Sequence, residues 1–143
     1  MAPTQIYATG HSDGGTATTA IAVLPDGPQP FAAIAPSAAG FTAADLRGYR
    51  CPPPVRVMVL HNADDALFPG WGAQAVGWWA QCNGCALAGA TRDPSGCLHY
   101  AHCARGAETR YCERPGAHRR WPTSAAELLD FFQATPAAAP TQP

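Results

Sequence analysis

The chain has 143 residues, 47% hydrophobic and only 13% charged, with a formal net charge of −1. That length supports one domain with a modest core, and the apolar content excludes disorder for its body. The balanced charge predicts no nucleic-acid partner, and no apolar run is long enough to predict a membrane span.

Residues 1–4 carry neither a basic nor an apolar leader, which predicts no secretion signal. Six cysteines in so short a chain point to an oxidising compartment. A mature secreted protein, or a piece of one, satisfies both observations.

In chain order, residues 5–8 read as a short strand and residues 16–24 as a buried helix closed by Pro25 and Gly27. Between them stands Gly10-x-Ser12-x-Gly14, the spacing of a nucleophile elbow. A serine on a strained strand-to-helix turn needs neighbours without Cβ atoms, and glycines two residues either side meet that need. Residues 30–36 form a second apolar strand. Residues 37–50 read as a loop with one helical turn at 43–46. Residues 55–60 give the strongest strand signal, an apolar β-branched run suited to a parallel strand covered on both faces.

Residues 71–81 have helical spacing, weakened by Gly72 and Gly77, and at least one of Trp78 and Trp79 belongs to the core. Residues 82–106 read as irregular, and residues 108–113 as a last strand. Thr123 or Ser124 caps a helix over 125–133, with Leu128, Leu129, Phe131 and Phe132 on its buried face. Residues 134–143 form a Pro/Ala/Thr-rich linker or disordered tail after a domain at 1–133. Strands alternating with helices predict an α/β fold with a mostly parallel sheet of about four strands and flanking helices.

A serine nucleophile needs a base, and the base needs an acid to fix its tautomer. The strand at 55–60 runs into His61-Asn62-Ala63-Asp64-Asp65, and the last strand runs into Gly116-Ala117-His118. The order Ser, Asp, His, each following its own strand, is that of an α/β-hydrolase. Ser12, Asp65 and His118 are therefore the candidate catalytic residues. Asp64 is the alternative acid, and His61 reads as structural. The side chain of Asp13 reads as solvent-facing or capping, while its backbone N–H is the candidate oxyanion donor. His11, Trp71 and Trp121 are candidate substrate-binding residues.

These motifs resemble the C-terminal part of the secreted polyhydroxybutyrate depolymerase and feruloyl esterase group of α/β-hydrolases. The likeness rests on the stretch around Gly10-His11-Ser12-Asp13-Gly14-Gly15, the run 31–36, the acid loop 61–69, Asn83-Gly84-Cys85, and the base loop 116–122. The base loop departs from the group's pattern, with Ala117 for a glycine and one extra residue before Trp121. In that register Asp65 takes the acid's place. The resemblance implies a truncated α/β-hydrolase, a serine esterase that needs no cofactor or metal and acts on polyesters or feruloyl esters. It also implies that an N-terminal half is missing, so that the strand at 5–8 becomes an exposed edge open to pairing in a homodimer. Two other readings stand beside it. One is an inactive remnant acting as a binding module. The other is a small zinc-stabilised domain built on Cys82, Cys85, Cys97, His99, His102 and Cys103. For the cysteines, disulfides within 82–112 are expected, with Cys51 free or paired to Cys82.

Overall fold

Strands and helices follow one another in the order β1 (Tyr7–His11), α1 (Asp13–Val23), β2 (Ala33–Ser37), α2 (Ala43–Leu46), β3 (Arg56–Asn62), α3 (Trp71–Cys82), β4 (Ala86–Arg92), β5 (Cys97–Ala101), β6 (Thr109–Arg114) and α4 (Ala125–Gln133). The structure is a computed structural model that describes residues 5–24 and 28–134. Within them the strands form one six-stranded sheet in the order β1-β2-β3-β6-β5-β4. β1 with β2, β2 with β3, and β3 with β6 pair parallel, whereas β6 with β5 and β5 with β4 pair antiparallel.

The architecture is thus an α/β mixed sheet with flanking helices, which corrects the expected mostly parallel sheet of about four strands. The difference lies in residues 82–106, predicted irregular, which form the β4–β5 hairpin. β4 is largely exposed, so it lacks the apolar run that marks a covered strand. The hairpin is closed by polar turn chemistry instead. The Asp93 carboxylate accepts the backbone N–H of Ser95 at 2.9 Å and of Cys97 at 3.0 Å.

β3 is buried along its whole length, and its side chains alternate between two cores. Val57 and Val59 pack with Leu46 of α2 and with Val76, Trp78 and Trp79 of α3. Met58 and Leu60 pack on the other face with Phe131 of α4. Each such side chain contributes about 1.5–3 kcal/mol when fully buried. Both Trp78 and Trp79 belong to the core.

On α4, Ser124 caps the helix by accepting the Glu127 N–H at 3.1 Å. Leu128, Phe131 and Phe132 form the buried stripe. Leu129, expected on that face, is exposed, because only the i, i+3, i+4 positions share it.

Several elements extend toward the ends that matter for chemistry. β1 runs on to His11, and α1 begins at Asp13, three residues before the predicted start. β3 runs through His61 to Asn62. β1 occupies a sheet edge, with Ile6 and Tyr7 exposed. The predicted helix stop at Pro25 and Gly27, and the tail from Thr135 onward, lie outside the described residues.

The six cysteines form the disulfides Cys51–Cys82, Cys85–Cys103 and Cys97–Cys112, with none free. Two of them close the 82–112 region on itself, and Cys51 takes Cys82. With every thiol oxidised, no cysteine is left to bind zinc as thiolate, which removes the ligands of the zinc-stabilised reading.

Candidate active site

The carboxyl ends of β1, β3 and β6 lie on one side of the sheet, because these strands run parallel through β2. In open α/β sheets that end is where ligands gather. Ser12 follows β1, Asp65 lies just past β3, and His118 lies just past β6.

Ser12 is the N-cap of α1, with φ 58° and ψ −113°. A positive φ of this kind costs a non-glycine residue about 1–3 kcal/mol, so the surroundings must impose it. The Ser12 N–H donates to the Ser37 carbonyl at 2.9 Å. A Cβ on Gly10 would strike the Gly14 backbone, and one on Gly15 would strike the Ser37 carbonyl. The position of Gly14's own Cβ is open. The close approach on the helix side is therefore made by Gly15, where the spacing of the motif had pointed to Gly14.

Ser12 Oγ lies 2.7 Å from His118 Nε2, and His118 Nδ1 lies 2.7 Å from Asp65 Oδ2. An ionised carboxylate only accepts, so Nδ1 carries the proton and Nε2 accepts from the serine hydroxyl. Asp65 is 3% exposed. Its Oδ1 accepts the N–H groups of Leu67 at 2.9 Å and Phe68 at 2.8 Å. Burial pushes this carboxyl up, but the Phe68 N–H and the two histidines around it outweigh burial and hold it below its ordinary value. Asp64 is exposed and clips the acid loop to the base loop, accepting the Gly116 N–H at 3.1 Å. It makes no bond to His118, so the geometry selects Asp65.

The remaining candidates sit around this row. Asp13 is the first residue of α1, and its N–H therefore has no acceptor within the helix. His11 Nε2 donates to the His118 carbonyl at 2.7 Å, which leaves Nδ1 to accept from the Ser37 hydroxyl at 2.8 Å. His11 thus holds the base loop. Trp121 is 45% exposed and lies 5.0 Å from the His11 ring. It also borders a cleft of about 480 Å³ lined by Arg114, Arg120, Thr123 and Glu127. Trp71 stacks on Phe68 at 4.4 Å, and Phe68 meets the His118 ring edge-on at 5.0 Å. Trp71 therefore reaches His118 through Phe68.

Sequence reasoning missed Asn62, Phe68 and Ser37. Asn62 Nδ2 donates to the carbonyls of Ala117 at 2.8 Å and Arg120 at 2.7 Å, bracketing His118. A polar residue at a strand's carboxyl end is the available signal, but the apolar run that marks β3 stops at Leu60, two residues before it.

No protein-family model matches the chain, and no curated protein matches it. No helix among the described residues is long and apolar enough to cross a membrane.

Proposed function

We propose that the chain is a secreted serine esterase with an α/β-hydrolase type of site. The observation that carries this reading is the row Ser12–His118–Asp65, two hydrogen bonds of 2.7 Å each, starting from a serine at positive φ. Ser12 Oγ attacks the ester carbonyl as His118 Nε2 takes its proton. Asp65 stabilises the imidazolium that forms. The Asp13 N–H donates to the developing oxyanion. His118 then protonates the leaving alcohol, and water, activated by the same nitrogen, releases the acyl group from Ser12.

The resemblance of the elbow, acid loop and base loop to polyhydroxybutyrate depolymerases and feruloyl esterases supplies the substrate class: polyhydroxyalkanoate or aromatic polyesters, or feruloyl esters. The aromatic surface around His118, made by Phe68, Trp71 and Trp121, suits chains of that kind. Three disulfides accord with a secreted protein. The exposed β1 edge supports self-association as part of the same reading.

The test is hydrolysis of p-nitrophenyl butyrate by the purified chain beside Ser12→Ala. Turnover that disappears in the variant is the expected result. Equal turnover in both, or none in either, overturns the esterase reading and leaves the binding module in its place.

A further inference from the structure

His61 is 1% exposed and is the penultimate residue of β3. Its Nε2 lies 2.8 Å from the Phe68 carbonyl and 3.2 Å from Asp65 Oδ2. A carbonyl accepts only, so Nε2 carries the proton and donates it to Phe68, with Asp65 Oδ2 beside this bond and outside it. Its Nδ1 is buried without any hydrogen-bond partner. A second proton there would find no acceptor, and burial pushes the His61 imidazole below its ordinary pKa despite the Phe68 carbonyl and Asp65. His61 is thus a neutral donor locked in one tautomer.

The oxygen it approaches is the one that receives His118. Leu67 and Phe68 hold Oδ1 and His118 holds Oδ2, while His61 Nε2 lies beside Oδ2. The Phe68 carbonyl that accepts from His61 belongs to the residue whose N–H donates to Asp65. His61 therefore fixes the loop whose N–H groups hold the acid. Gly72 of α3 packs against this ring, where a Cβ would collide with His61 Cβ.

We propose that His61 is a positioning residue of this site, whose Nε2–H holds the Phe68 carbonyl and through it the loop whose N–H groups keep Asp65 in the orientation that receives His118 Nδ1–H. The kinetic side of this inference rests on the esterase reading. The spectroscopic side does not.

The test compares His61→Gln with His61→Asn. Glutamine reaches the place of Nε2 with an amide donor. Asparagine is as polar but too short. Circular dichroism and urea midpoints establish that both fold, and the variant that folds is read in the same way if the other does not. The first readout is the downfield ¹H signal of His118 Nδ1–H. It is expected to be sharp in the wild type and His61→Gln, and broadened by exchange in His61→Asn. The second is p-nitrophenyl butyrate kinetics, where kcat falls about tenfold to a hundredfold in His61→Asn with KM unchanged, and His61→Gln recovers most of it. An unaltered His118 signal in His61→Asn, or a His61→Gln as impaired as His61→Asn, overturns the proposal. Absence of turnover in the wild type defeats the esterase reading alone, because the proton signal still decides the role of His61.

Discussion

Asn62 and Ala117 are joined by a 2.8 Å hydrogen bond from the Asn62 amide to the carbonyl of the residue before His118. The same amide reaches Arg120 at 2.7 Å, so one side chain at the end of β3 sets the path of the base loop. Asn62→Ala leaves the Arg120 carbonyl without this donor and the Ala117 carbonyl with the Arg120 N–H alone. The loop then has the Asp64–Gly116 clip and the His11 bond to hold it. The expected outcome is a fall in kcat of about tenfold to a hundredfold, with KM little changed. Steady-state kinetics on p-nitrophenyl butyrate check it, and a wild-type kcat would mean that the loop is held without Asn62.

The two adjacent aspartates should separate cleanly. Asp65→Asn offers His118 an amide that can donate, which favours the wrong imidazole tautomer. A loss on the order of 10⁴-fold in kcat is expected. Asp64→Asn keeps a carbonyl oxygen for the Gly116 N–H and leaves the row intact, so its kcat should stay within about threefold of the wild type. Measuring both variants together assigns the acid. A larger loss in Asp64→Asn would reverse the assignment.

Residues 82–106 show why part of the fold was hidden. The apolar runs of β2 and β3 announce strands because both faces are covered, whereas β4 meets water along most of its length and is specified by pairing with β5. Ser12, Asp65 and His118 were legible because each chemistry-bearing residue follows a strand in the order a hydrolase needs. Their supports were not. Asn62 acts through partners far along the chain, in the loop at 117–120, and pairings at such separation leave no local pattern, while His61 acts on the nearby Phe68 carbonyl, a contact that only the folded loop defines. Gly72 reads as a weak point in a helix until the ring it packs against is known.

Asp93 gives a pH prediction. Its carboxylate accepts from the Ser95 hydroxyl and from His99 Nε2 at 2.7 Å each, and these bonds, with the Ser95 and Cys97 N–H groups, hold its pKa well below the ordinary carboxylate range. A folded-state pKa below the unfolded one means that the stabilisation is complete above about pH 4 and is lost as pH falls through the lower folded value. Urea midpoints of the wild type and Asp93→Asn should therefore differ at about pH 6, and the gap should narrow steadily as pH falls below about 4. A gap independent of pH would show that the carboxylate charge contributes nothing to the hairpin.

The β1 edge predicts concentration-dependent association. Ile6 and Tyr7 are exposed beside backbone groups that no neighbouring strand among the described residues covers. Light scattering coupled to size exclusion should report a dimer as concentration rises, and Tyr7→Lys should shift it to monomer. A wild-type chain that remains monomeric at high concentration rules this contact out.

All three disulfides lie between Cys51 and Cys112. The segment bearing Ser12, by contrast, carries no disulfide and is held by the β1–β2 and β2–β3 pairings, by the hydrogen bonds of His11 and Ser12 to His118, and by packing. The molecule is thus a covalently tied block with an untied arm that bears Ser12. Amide protons of β1 and α1 should exchange with solvent sooner than those of β3 and β6, and mild heating should silence the serine while the tied block still holds its shape.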